Sequence, residues 1–207
     1  MQNTFYFLIH AETKPDTNQP ISNWALSEKG ITDSQALAKN HPFGFIDSII
    51  ISEERKAFQT LMLFRKDIMQ PNLEQPEFTK YASLNELDRD PTGYLEKTPY
   101  EEAVKSALTS LGEPYKNDIG EWETAKNALT RFSKCIRDID KETEDQRILV
   151  IGHAYTMNLY FARRLNELGN VYDRLQTNGP LDYGIVGKER ATPGKHSVIT
   201  DIAKTRG

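Results

Sequence analysis

A single cysteine, Cys135, is all the thiol this sequence has, so no internal disulfide can form. Set in a helical pattern, it reads as a small packed hydrophobe in a cytoplasmic or otherwise reduced protein. No apolar run approaches the ~20 residues that a bilayer-spanning helix needs, and the first residues enter a strand pattern without a basic stretch and long apolar core ahead of it. The expectation is a soluble chain without a signal peptide. An excess of positive charge is missing as well: 26 Lys and Arg stand against 30 Asp and Glu, for a formal net charge of −4. Polyanions would repel such a chain, which argues against nucleic acid and membrane surfaces as partners, while a local cluster of cations can still hold a small anion. The four histidines are not spaced i, i+4 with acidic partners and there is no cysteine pair, so no metal site is expected. A Walker loop and a dinucleotide fingerprint are also absent, and no cofactor is expected. With no internal repeat and no dividing linker, the 207 residues fit one domain, 1–207, large enough to bury a core.

What the sequence does contain is an alternation of buried strands and amphipathic helices. Thr4 to His10 (TFYFLIH) is a nearly continuous β-branched and aromatic run, as a strand covered on both faces requires. A polar loop from Ala11 to Trp24 follows, then Ser27 as a helix cap before a pattern through Ile31, Leu37 and Ala38. Phe45 to Ser52 reads as a second buried strand, and Glu54 to Ile68 as a helix carrying Ala57, Leu61, Phe64 and Ile68 on one side. This order favours a mostly parallel sheet with helices on both faces, an α/β fold. Phe78 to Leu87 alternates weakly, as a third strand would. Residues 88–140 read as a helical insertion over one sheet edge: a polar excursion from Asp88 to Thr98, a helix after Pro99 from Tyr100 to Leu111, and another from Ile119 to about Asp140. Arg147 to Gly152 (RILVIG) is a core strand followed by a helix from Tyr155 to Leu168, and Leu181 to Val186 and Ser197 to Ile202 complete the strands.

Two of the histidines stand out by position. His10 and His153 each follow a buried strand directly, where open α/β sheets place their binding crevice. A hydrogen-bonded structural histidine explains either one alone about as well as a functional one does, but explains the pair less readily. His41 and His196 lie in turn-like sequence and read as surface residues.

These positions carry a resemblance. FLIHAET (Phe7 to Thr13) resembles the L-x-R-H-[GA]-E-T signature that opens histidine phosphatases, and further blocks follow in the family's order. LSEKG (Leu26 to Gly30) is similar to the helix opening L-[ST]-x-x-G, ISEERKAFQT (Ile51 to Thr60) to S-x-x-x-R-A-x-Q-T, LNEL (Leu84 to Leu87) to the L-x-E segment, and VIGHA (Val150 to Ala154) to V-x-H-G. Each block is weak alone; order and spacing together carry the assignment. The resemblance, to the phosphoglycerate mutase-like branch, implies phosphoryl transfer through a phosphohistidine without a metal. It implies His10 as nucleophile, His153 as donor to the transferring group and Glu86 as general acid, with Glu53, Glu54 and Asp88 as rival acids. Phosphate binding would fall to Lys56, Arg55, Thr13 and Ala154, with Glu12 and Ser52 in support. The implied partner is a small phosphorylated substrate or an inorganic anion, and a homodimer is one arrangement consistent with the antiparallel edge expected of the family.

The sequence departs from the pattern twice. Ile9 stands where the family has an arginine before the nucleophile, and Lys56 stands at its second phosphate-binding arginine, with Arg55 one residue early. A bidentate cation is thus missing and a point charge replaces the other. Consecutive helical residues point ~100° apart, so one of Arg55 and Lys56 faces solvent. Three readings follow: a phosphomonoesterase weakened by the missing arginine, a catalytically inactive anion-binding or regulatory member of the fold, and a phosphoglycerate mutase-type phosphotransferase.

Overall fold

The computed structural model of the protein describes residues 3–65, 68, 78–188 and 196–204. Six strands join in one sheet: β1 (Thr4–Ile9), β2 (Ser48–Ser52), β3 (Phe78–Tyr81), β4 (Arg147–Gly152), β5 (Tyr183–Lys188) and β6 (His196–Thr200), in the order β3-β2-β4-β1-β5-β6. The first four run parallel, and β5 and β6 add an antiparallel pair beside β1. Because alternate residues of a strand face opposite ways, the apolar run of β1 feeds two cores at once. Phe5, Phe7 and Ile9 point to one face and Tyr6 and Leu8 to the other.

Helices α1 (Glu28–Lys39) and α2 (Arg55–Phe64) cover the Tyr6 face. On the opposite face lie α3 (Lys97–Thr109), α4 (Ala125–Glu142), α5 (Ala154–Leu165) and α6 (Val171–Gln176). The sheet is therefore a mostly parallel α/β layer with helices on both faces. In one respect the placement differs from the sequence-based expectation: α4 lies across a sheet face, not over an edge. Its buried residues, from Ala125 through Phe132 to Ile139, make a continuous apolar stripe, and Phe132 meets Phe7 of β1 and Tyr160 of α5 at ring-centroid distances of 6.2 and 5.4 Å.

Several boundaries shift for local reasons. Strand β2 starts at Ser48, not Phe45, because pairing with β4 begins there and Phe45 faces solvent. Helix α2 ends at Phe64; Ile68 is buried beyond it, and residues 66–67 of the expected helix lie outside the described residues. The third strand stops at Tyr81, where a 3-10 turn takes over. Helix α3 begins at Lys97, two residues ahead of Pro99. Helix α4 starts after Thr124, whose hydroxyl accepts the Asn127 N–H at 3.2 Å, so Ile119 and Trp122 precede it. Helix α5 stops at Leu165 because Asn166 adopts a left-handed conformation (φ 60°). Leu181 likewise has φ 67° and stays outside β5, while Ile202 falls in a closing 3-10 turn beyond β6. Ser27 caps α1 as the pattern predicts, its hydroxyl accepting the Gly30 N–H at 2.9 Å. Ile31, expected on the buried side of α1, is exposed; Gly30, Ser34 and Ala38 are buried instead. Gly30 is small by necessity, since a Cβ there would overlap the Glu12 carbonyl oxygen.

Candidate active site

Register alone brings the two strand-end histidines together. Strands β1 and β4 are parallel neighbours with Ile9 opposite Gly152, so the next residue of each chain segment emerges at the same end of the sheet. The His10 N–H donates to the Gly152 carbonyl at 2.9 Å, and the two imidazole centroids are 5.1 Å apart with ring planes at 64°. One tetrahedral anion can reach both rings at that spacing.

The His10 ring is held in one tautomer. Its Nδ1 lies 2.7 Å from the Ala11 carbonyl oxygen, which can only accept, so Nδ1 carries the proton and Nε2 the lone pair. Burial, then the neighbouring His153 and Lys56, lower its pKa well below the ordinary imidazole value. The neutral form is the one present at pH 7. His153 is fully buried, and burial followed by the charges of Lys56, Arg89 and Arg131 lowers its pKa in the same direction. Its Nε2 sits 2.6 Å from the Ser52 hydroxyl at the end of β2, and that oxygen also accepts the Glu54 N–H at 3.0 Å. Nδ1 of His153 is buried with no hydrogen-bond partner among the described residues.

A buried ion pair closes the floor. Lys56, on the first turn of α2, is 3% exposed; its ammonium lies 2.6 Å from a Glu54 carboxylate oxygen and donates to the Ile21 carbonyl at 2.8 Å. The other Glu54 oxygen is 3.5 Å from His153 Nε2 and accepts the Glu86 N–H at 2.7 Å. Arg55, expected beside Lys56 at the phosphate, points away instead. It is exposed and lines a separate surface depression with Lys14 and Gln19, as the ~100° step between successive helical residues demands.

Glu86 is buried against the start of α5. Its carboxylate accepts the N–H groups of Leu87 at 3.0 Å, Thr156 at 3.1 Å and Tyr155 at 3.2 Å. Burial raises its pKa, opposed first by the charge of Arg89. Arg131 of α4 fixes this segment by donating to the carbonyls of Ser83, Asn85 and Glu86 at 3.0, 2.7 and 2.8 Å while pairing with Glu123. Of the rival acids, Glu53 and Asp88 are exposed and Glu54 belongs to the ion pair. Ala154 takes the first position of α5, and the N–H groups of the two residues after it go to Glu86 rather than to the cleft. Glu12 accepts the Ser27 hydroxyl at 2.8 Å and organises the loop, and Thr13, bridged to Leu26, lines the cleft that His10 opens into.

The residue that the sequence patterns did not single out is Arg89. It is 9% exposed, lines the cleft with His10 and Lys56, and stacks over Tyr155 with its guanidinium carbon 4.7 Å from the ring centroid. It donates to the Tyr100 hydroxyl, itself bonded to Tyr155, while its Nε has no partner among the described residues. One arginine in an irregular acidic stretch has no periodicity to mark it, and only its spacing of three from Glu86 offered a clue. Ile9, at the position of the absent arginine, is buried in the same apolar cluster as Leu84, Leu87 and Tyr155. Of the other histidines, His41 is half-buried and stacked on Phe43, which corrects its reading as a surface residue, and the side chain of His196 lies outside the described residues.

The profile of the histidine phosphatase superfamily (branch 1) matches residues 5–182 of the chain. Among solved structures, the chain is similar to YhfR of Bacillus stearothermophilus (TM-score 0.72, 18% identity, 96% of each chain covered). A mycobacterial glucosyl-3-phosphoglycerate phosphatase (TM-score 0.72, 14% identity, 97% of this chain and 98% of that one) shares the fold to the same degree. So does a phosphoserine phosphatase of Entamoeba histolytica, solved with 3-phosphoglyceric acid (TM-score 0.72, 15% identity, 96% and 95% covered). No curated protein sequence matches the chain. No helix among the described residues is long and apolar enough to cross a membrane, and these residues hold no cluster of metal-ligating side chains.

Proposed function

The chain belongs to the histidine phosphatase superfamily, and on that premise we propose that it is a phosphomonoesterase working without a metal through a phosphohistidine on His10. The observation that carries this reading is the His10 tautomer: an Nδ1–H held by the Ala11 carbonyl leaves Nε2 as a neutral nucleophile 5.1 Å, centroid to centroid, from a second imidazole.

In the proposed reaction Nε2 of His10 attacks phosphorus as the bond to the ester oxygen breaks, and Glu86 gives its proton to the departing alkoxide. Burial of Glu86 favours the protonated form this step needs. Water then attacks the phosphohistidine, its proton returns to Glu86, and phosphate leaves with His10 neutral again. If the Ser52 hydroxyl donates to His153 Nε2, as its acceptance of the Glu54 N–H allows, His153 carries its proton on Nδ1, the nitrogen without a partner. That N–H, the Lys56 ammonium and the Arg89 guanidinium are the donors for the phosphoryl oxygens. Arg89 takes the electrostatic part of the arginine that Ile9 replaces.

Ile9, apolar where the family signature has an arginine, favours a second reading, in which the fold holds an anion without turnover, because a bidentate donor to the transferring phosphoryl group is missing. The two readings separate in one experiment. The esterase reading expects phosphate release from a phosphomonoester to vanish in His10→Ala, together with an acid-labile phosphoryl label on the wild-type chain. Anion binding without any His10-dependent release between pH 5 and 8 decides for the second reading.

A further inference from the structure

The cleft above His10 is unlike a site for a small, highly charged ester. It encloses about 340 Å³, and beyond His10, Lys56 and Arg89 its lining adds the polar Thr13, Glu96 and Lys97 and six apolar or aromatic residues, Pro15, Ile21, Trp24, Tyr94, Leu95 and Tyr100. Three of those six are aromatic, and they come from two separate stretches: Trp24 from the loop between β1 and α1, and Tyr94 and Tyr100 from the approach to α3 and its first turn. The Trp24 indole is fixed, its Nε1 donating to the Asp16 carbonyl at 3.0 Å. Tyr100 is likewise anchored by its hydroxyl to Tyr155 and Arg89, so its ring is held in place. Tyr94 is 42% exposed, a large aromatic surface left to water at the mouth. Rings held this way offer apolar area to a ligand without much ordering of their own.

We propose that the substrates are phosphate monoesters whose alcohol carries an aromatic ring or a similarly flat apolar group, the ring lying between Trp24, Tyr94 and Tyr100 while the phosphate meets His10. This rests on the phosphatase reading above and adds the leaving group to it. The charged groups at the mouth, Glu96 and Lys97, are exposed and of opposite sign. In water they contribute little, so they do not select for a zwitterionic alcohol such as serine.

The test compares benzyl phosphate with phosphoserine, both primary alkyl esters, so that a difference reports binding of the alcohol rather than a better leaving group. In parallel, benzylphosphonate and methylphosphonate are titrated into the full chain by calorimetry. The expected result is a kcat/KM at least about tenfold higher for benzyl phosphate, with benzylphosphonate binding about tenfold tighter than methylphosphonate. Trp24→Leu and Tyr94→Ala should each cut both ratios several-fold, the second variant lying at an exposed position where folding is not at stake. Hydrolysis with equal rates, with a preference for phosphoserine, or with a benzyl preference that survives both variants overturns the proposal and leaves the phosphatase standing. If neither ester is hydrolysed but benzylphosphonate still binds more tightly than methylphosphonate, the cleft assignment holds and the phosphatase reading fails. Absence of both hydrolysis and that binding difference removes the two together.

Discussion

Glu54 and Lys56 lie two residues apart at the start of one helix and form a buried ion pair at 2.6 Å beneath the two histidines. A carboxylate at that place opposes the binding of a dianion twice, by engaging the lysine and by its own charge. Glu54→Gln keeps an oxygen to accept the Glu86 N–H and removes the charge. Since a charge-assisted hydrogen bond is worth about 1.5–3 kcal/mol, freeing Lys56 should tighten inhibition by orthovanadate about tenfold. An unchanged or weaker inhibition constant would show that the pair orders the lysine for the anion instead of competing with it.

Glu86 supplies a prediction that depends on the leaving group. An acid matters most for a poor leaving group, so Glu86→Gln should lower kcat for benzyl phosphate by about 10²–10⁴-fold and lower it far less for p-nitrophenyl phosphate, whose phenolate departs unaided. Burial raises the Glu86 pKa and lowers that of His10. The two shifts bring the protonated acid and the neutral nucleophile toward the same pH range, and kcat/KM for benzyl phosphate should fall as pH rises through the raised Glu86 value. Equal losses for the two esters in Glu86→Gln would assign the proton to another group.

Ile9 and Arg89 form a linked pair of tests. Ile9 is 2% exposed within the larger apolar cluster of the sheet, so Ile9→Arg buries a charge at an apolar position. An uncompensated buried charge costs about 3–5 kcal/mol, and a chain of this length loses about 2–4 °C of Tm per kcal/mol. Thermal unfolding should drop by about 10 °C with no gain in turnover, because Arg89 already fills the role. Arg89→Gln should raise KM for phosphomonoesters about tenfold or more. A gain in turnover from Ile9→Arg would contradict the assignment of Arg89.

Stability should carry the signature of the histidines. Both have folded-state pKa values well below the ordinary 6.5, so as pH falls below about 6.5 the unfolded chain takes up protons that the native state refuses. Stability is then full above that value and lost as pH drops toward the folded-state values. Glu86, with its raised value, acts in the opposite sense, so the clean measure is a difference. Urea unfolding between pH 7.5 and 5 should show His10→Ala losing less stability on acidification than wild type, by up to ~1.4 kcal/mol per pH unit. Parallel slopes for the two would mean that His10 is not held neutral by the fold.

Local periodicity determined much of what the structure contains. The run TFYFLI has one reading, a strand buried on both faces, and RILVIG has the same; both strands end where the sequence says, with a histidine next in line. Ser27 capped the first helix and the step between Arg55 and Lys56 required one of them to face out, which are properties of a single turn of chain. Tertiary structure decided the rest, because contacts between distant segments leave no local pattern. Only the pairing of β1 with β4 sets the two rings 5.1 Å apart. Likewise, only the packing of an irregular acidic stretch against Tyr155 brings Arg89 to the cleft. The inward turn of Lys56 toward the Ile21 carbonyl, the outward turn of Arg55 and the aromatic wall of Trp24, Tyr94 and Tyr100 have the same origin: side-chain direction is settled by what packs nearby, and those neighbours come from other stretches of the chain.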